Sequence, residues 1–273
     1  MFSSNANPNQ IDAITTTEGP LLIIAGPGSG KTFTLVERIV YLITKKNTPP
    51  ESLFVATFTD KAAQELITRI STRLVEIGSR FNLNEMYIGT FHSICLRILE
   101  ENREFTRLKR NFTMMDQFDQ NYFLFQRLNE YLEIPNIEAV IGQRYIGYWR
   151  RAQNLLKWLN TVSEEALEVT DLLAAEHESI RVLGECYDLY QKQLEEANAL
   201  DFSTIQYEAL NLLRNNPEIL QSLQEKISYF MVDEYQDTNT IQELILMLLA
   251  GKHPNLCVVG DDDQGLYRFR GAT

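Results

Sequence analysis

The sequence predicts an α/β fold: a parallel sheet with helices on both faces, interrupted by an α-helical insertion. Three observations carry that expectation. Short apolar runs alternate with stretches of helical periodicity over the first hundred residues. The alternation stops between about 106 and 197, and it resumes after 198. The expected organisation is one α/β domain in two parts, 1–105 and 198–273, around a helical domain of 106–197.

The first strand is PLLIIAG (20–26), apolar up to its closing glycine. Such a run, bounded by turn residues, marks a strand buried on both faces. KTFTLVERIVYLI (31–43) follows with apolar residues at helical spacing. After the turn NTPPES (47–52), LFVATF (53–58) is the second strand. In DKAAQELITRISTRLVEIG (60–78), Ala63, Leu66, Ile67, Ile70, Leu74 and Ile77 share one helical face. A third pair runs from MYIGTF (86–91) into HSICLRILEENREF (92–105). The middle region offers amphipathic stretches, FDQNYFLFQRLNEYL (118–132) and IRVLGECYDLYQKQLEEA (180–197), and no convincing apolar strand. Two further strands, ISYFMVDE (227–234) and NLCVVGDD (255–262), each end in acids.

Composition narrows the class. A hydrophobic share of 44% with 10% aromatics supplies a sizeable core. No apolar run approaches the roughly 18–20 residues of a membrane span. MFSSNANPNQ lacks the charged and apolar regions of a signal peptide. Cys95, Cys186 and Cys257 are too scattered for a disulfide framework or a metal site, so the expected location is the cytoplasm. A net charge of −12 weighs, by itself, against a nucleic-acid partner. The acid is uneven, however: residues 1–105 carry 10 basic and 11 acidic side chains, residues 198–273 carry 5 and 11. Several late acids (Asp233, Glu234, Asp261, Asp262, Asp263) cluster in short motifs of metal-binding character.

Three motifs carry chemistry. AGPGSGKT (25–32) follows a strand and opens a helix, the setting of a phosphate-binding loop. Its glycines 26, 28 and 30 let backbone N–H groups turn toward phosphate oxygens, and the helix N-terminus adds its positive dipole end. Lys31 is placed for the β- and γ-phosphates and the Thr32 hydroxyl for Mg²⁺. Ala25 stands where the strict pattern has glycine. FMVDEYQD (230–237) is an apolar strand ending in Asp233, a candidate Mg²⁺ ligand, and Glu234, a candidate base for the attacking water. VVGDDDQGLYRFRGA (258–272) ends a strand in acids, then places Gln264 to touch a γ-phosphate. Tyr267 and Phe269 alternate there with Arg268 and Arg270, a pattern suited to single-stranded nucleic acid.

These segments, with TFTDKAAQEL (57–66), GTFHSICLRIL (89–99), LDFSTI (200–205) and VDEYQDTN (232–239), resemble in order and spacing the motifs of UvrD/Rep/PcrA-type superfamily 1A helicases. NPNQIDAI (7–14) resembles the family's Q motif. The resemblance implies a P-loop, RecA-like domain 1A carrying a helical domain 1B, ATP and Mg²⁺ as cofactors, and 3′→5′ translocation on DNA. It implies nucleotide contacts from Gln10, the loop Ala25, Gly26, Pro27, Gly28, Ser29 and Gly30, then Lys31, Thr32 and Arg38. Thr57, Phe58, Thr90 and His92 match residues lining the single-stranded DNA track, joined by Tyr267 and by Phe269 as the base-stacking aromatic. Gly265 replaces the usual serine. Basic residues of the insertion (Arg107, Lys109, Arg110, Arg144, Arg150, Arg151) are expected to approach the duplex or strand backbone at a single-strand/duplex junction.

The resemblance also implies a second RecA-like domain, after Thr273, that carries arginine fingers and an adenine-stacking tyrosine. Residues 1–273 are therefore expected to be the N-terminal half of a motor, nearly inactive alone in hydrolysis and unwinding. The alternative is a stand-alone module that binds nucleotide or single-stranded DNA without motor activity. A water-activating Glu234 and a γ-phosphate sensor at Gln264 favour the motor, since a pure binder needs neither.

Overall fold

A computed structural model describes residues 6–252 and 254–261. The elements up to the middle region are α1 (Pro8–Thr15), β1 (Leu21–Ile24), α2 (Lys31–Lys45), β2 (Leu53–Thr57), α3 (Asp60–Glu76), β3 (Tyr87–Thr90) and α4 (Phe91–Glu101). Next come β4 (Thr113–Met115), α5 (Gln117–Tyr131), α6 (Glu138–Ile141), α7 (Tyr148–Glu164), α8 (Val169–Ala174), α9 (Glu178–Glu196) and β5 (Ala199–Asp201). The chain continues through α10 (Phe202–Asn215), α11 (Pro217–Lys226), β6 (Tyr229–Val232), α12 (Thr240–Ala250) and β7 (Asn255–Gly260).

These residues fall in two compact units, one made of those up to 97 together with those from 213 onward and one of 98–212. The second is wider than the expected 106–197. Its limits fall inside α4 and α10, where the sequence offers no turn to mark them.

In the first unit the five apolar runs are five parallel strands in the order β1-β7-β6-β2-β3. All of β2 is buried, as its central place demands, and its uninterrupted apolar sequence follows from burial on both faces. Alternate residues show the two faces. Val55 packs in a core with Leu35, Ile39, Leu66 and Ile70 of α2 and α3. Phe54 meets the rings of Phe230 and Phe91, 5.4 and 6.1 Å away between centroids.

Helix starts are set by local chemistry. The Asn7 side chain accepts from Gln10 N–H while Gln10 returns a bond to Asn7 N–H, a reciprocal cap of α1. Asn239 and Gln242 repeat the device on α12.

The second unit is helical with one addition to the expected pattern: β4 and β5 pair in parallel as a two-stranded sheet. Three residues each, with two of the three exposed in β4 and an aspartate closing β5, are too short to leave a periodic signal. Asp201 closes β5 and is fully buried. Its carboxylate accepts from Tyr190 Oη (2.6 Å) and from the N–H groups of Ser203 (2.9 Å) and Thr204 (3.0 Å), capping α10. Burial pushes its pKa up, against the pull of these donors. Asp201→Ala leaves three buried donors unmet and is expected to cost about 3 kcal/mol, from cap loss and unsatisfied groups together. Urea denaturation of the variant checks this through its midpoint.

Candidate functional site

Because all five strands of the first unit are parallel, their C-terminal ends share one edge, where such sheets gather ligand sites. Along that edge stand, in order, the loop after β1, Asp261 after β7, Asp233 and Glu234 after β6, Thr57 at the end of β2 and Thr90 at the end of β3.

The loop 25–30 leaves β1 with Ala25 N–H bonded to Gly260 O (3.1 Å) and closes with Ser29 Oγ donating to Gly26 O (2.6 Å). Gly28 (φ +73°) and Gly30 (φ +90°) take left-handed conformations that side chains resist. A Cβ at Gly30 would sit 2.7 Å from Gln10 Nε2 and displace that amide. That amide donates to Ser29 O at 3.2 Å, so Gln10 ties the cap of α1 to the loop.

Lys31, at the first turn of α2, is 10% exposed. Its Nζ lies 3.7 Å from Asp261 Oδ2 and 4.0 Å from Glu234 Oε2. A buried ammonium needs such partners. Asp233 is anchored by its N–H to Ala56 O (2.9 Å) and returns a side-chain bond to Glu234 N–H (3.1 Å). Burial, and secondarily the charge of Glu234, push its pKa up to about 6. Glu234 adopts φ 52°, ψ 46°, a left-handed conformation that costs a non-glycine residue on the order of 1–3 kcal/mol and concentrates at functional sites. Gln236 spans the gap between strand ends. Its Nε2 donates to Glu234 Oε2 (2.6 Å) and its Oε1 accepts from Asp261 N–H (3.1 Å).

This arrangement suits a magnesium nucleotide. The glycine loop is free of obstruction at Gly26 and Gly28, where an added Cβ would meet nothing within 4 Å. Thr32 and Asp233 are oxygen donors of the kind Mg²⁺ takes in ones and twos beside phosphates and water. Among the described residues no group of three or more His, Cys, Asp and Glu forms a separate metal cluster.

Other expected residues fall differently. Arg38 does not join the loop: it is 1% exposed, and Nη1 donates to the carbonyls of Ala13 and Thr16 at the end of α1. Burial pulls its pKa down. Thr57 and Thr90 pair in register across β2 and β3, and both are buried. Thr90 Oγ1 accepts from Ser93 N–H (3.2 Å), whereas Thr57 Oγ1 makes no hydrogen bond among the described residues. Phe58 and His92 are half-buried. Burial holds the His92 pKa down at about 4, so it presents a neutral imidazole at pH 7. Gln264, Tyr267 and Phe269 lie outside the described residues, as do Asp262, Asp263 and Gly265.

In the second unit Arg151 is buried and Arg107 is committed to Glu208 and Ala199 O. Arg144, although exposed, pairs with Glu138 at 3.1 Å. Lys109, Arg110 and Arg150 are exposed. Sequence reasoning missed the aromatic patch beside Arg150, where Phe118, Tyr122, Phe125 and Trp149 pack ring to ring at 5.5–6.5 Å. Phe118 and Tyr122 are one helical turn apart, a spacing readable in the sequence. It also missed Gln236, which stands inside the DEYQD run that drew attention to its neighbours.

A family model described as "UvrD/REP helicase N-terminal domain" matches residues 6–273. The chain is 39% identical over 270 residues to the ATP-dependent DNA helicase PcrA of Staphylococcus aureus (strain NCTC 8325 / PS 47). It is 38% identical over 270 residues to the protein of the same name from Staphylococcus epidermidis (strain ATCC 12228 / FDA PCI 1200). Each alignment covers 98% of this chain and 35% of the relative, so the chain spans about a third of the length of these relatives.

Proposed function

The chain belongs to the UvrD/REP helicase family, and from that premise we propose that it is the nucleotide-binding half of an ATP-dependent 3′→5′ DNA helicase. One observation supports this above the rest: a glycine loop, Lys31 and the carboxylates of Asp233, Glu234 and Asp261 converge at one edge of a parallel sheet.

In this reading the loop N–H groups and Lys31 bind the β- and γ-phosphates, and Thr32 and Asp233 hold the metal. Bound Mg²⁺ neutralises charge developing on the phosphate oxygens. Glu234 orients the attacking water and takes its proton, the work of a general base. Phosphate oxygens replace the carboxylates as partners of Lys31, which releases Glu234 for that role. Gln264 reads the γ-phosphate.

Calorimetry of Mg-ATP with Lys31→Ala tests the site. A charge-assisted hydrogen bond is worth about 1.5–3 kcal/mol, so a loss of roughly tenfold or more in affinity is expected. Unchanged affinity would move the nucleotide elsewhere.

Single-stranded DNA runs over the other end of the same edge, beyond β6. Phe58 and the neutral His92 meet the strand, Thr57 and Thr90 stand at the strand ends beneath it, and Tyr267 and Phe269 stack on bases. The bond from Asp233 N–H to Ala56 O puts the metal-holding acid one residue from Thr57. The exposed Lys109, Arg110 and Arg150 approach the junction with duplex. Arginine fingers and an adenine-stacking tyrosine come from a second RecA-like domain.

A further inference from the structure

We propose that Gln236 is a positioning residue for ATP hydrolysis, holding the Glu234 carboxylate and coupling it to the end of β7. The inference rests on the reading of Glu234 as the base. Three observations support it.

The first is the bridge itself. A single amide uses both ends: Nε2 donates to Glu234 Oε2 at 2.6 Å, and Oε1 accepts from Asp261 N–H at 3.1 Å. Its donor and acceptor are fixed by these partners, because a carboxylate only accepts and a backbone N–H only donates. Reversal of the amide would break both bonds together.

The second is the room made for it. Gly260 precedes Asp261, and a Cβ there would lie 2.9 Å from Gln236 Oε1. The glycine at the end of β7 therefore admits the amide that its neighbour's N–H engages.

The third is the backbone of Glu234. A left-handed glutamate is strained, and such a conformation persists where surroundings hold it. Asp233 Oδ1 holds its N–H, and Gln236 holds its carboxylate, so the residue is gripped at both ends.

Two consequences follow. Gln236 fixes which oxygen of Glu234 remains available for a water, since Oε2 is engaged by the amide and faces Lys31 at 4.0 Å. It also makes that position dependent on Asp261, the second residue of GDDDQ (260–264), from which the chain continues toward the aromatic-basic run. A shift of the end of β7 reaches the base through one side chain.

The test is a double-mutant cycle in the full-length protein, measuring ATP turnover with single-stranded DNA and, separately, Mg-ATP affinity. Gln236→Ala and the isosteric Gln236→Glu, which sets a like charge against Glu234, are both expected to lower kcat at least tenfold. Nucleotide affinity should stay within about threefold of wild type. Adding Gln236→Ala to Glu234→Gln should lower turnover no further, because a residue acting through Glu234 has nothing left to position. Wild-type turnover in Gln236→Ala, with Glu234→Gln inactive, overturns the inference alone. Losses that multiply in the double variant, or that appear equally in affinity, overturn it in favour of a merely structural link. Full activity in Glu234→Gln would instead remove the reading of Glu234 as the base.

Discussion

Glu234→Gln is expected to lower DNA-stimulated ATP turnover by about 10²–10⁴-fold, the range a general base supplies, with Mg-ATP affinity held within about threefold. The substitution is close to isosteric. It keeps an oxygen to accept from Gln236, and removes the capacity to take a proton together with the negative charge that faces Lys31. Lys31 retains Asp261 at 3.7 Å, so the ammonium is not stranded. The left-handed backbone at 234 is no worse for glutamine than for glutamate, and the melting temperature should hold. Single-turnover hydrolysis alongside calorimetry separates the two effects. Turnover above a tenth of wild type would mean that another group activates the water.

The second large effect concerns the chain by itself. Residues 1–273 alone should hydrolyse ATP at or near background, with or without DNA, while still binding Mg-ATP. An arginine finger is worth on the order of 10³–10⁵ in rate among phosphoryl-transfer enzymes, and in the proposed reading that part belongs to a second RecA-like domain. Lys31 lies within 4.0 Å of both Glu234 and Asp261, and it is needed for the phosphates. Arg38, the nearest arginine in α2, is turned to backbone carbonyls at the end of α1. Comparison of this chain with the full-length protein in a coupled ATPase assay checks the expectation. A DNA-stimulated turnover of about 1 per second by residues 1–273 would show that the chain carries its own electrophilic partner.

The strands of the first unit were legible because each is buried on both faces, which leaves an apolar run with a glycine or an acid at its end. The loop was legible because its glycines are demanded by backbone geometry and its lysine by chemistry, both local in sequence. What stayed hidden was long-range or too short. Whether Arg38 faces a ligand or a helix end depends on α1 folding back over α2, 22–25 residues away, and no pattern around Arg38 encodes that. β4 and β5 are three-residue strands some 85 residues apart, with no periodicity to read. The burial of Thr57 and Thr90 follows from their place in the strands, which are paired in register, and so could have been anticipated.

The strand order has a consequence for how the protein is made. Among the described strands β1 pairs only with β7, Leu21 standing against Cys257. A ribosome adding about 5–20 residues per second therefore leaves β1 without its neighbour for roughly ten to fifty seconds. During that interval the helical unit of 98–212 emerges complete and can collapse on its own contacts, while the glycine loop hangs from an unpaired strand. The nucleotide site is the last part of the first unit to be assembled. A nascent chain arrested before β7 should acquire protease-resistant helices well before it can retain ATP.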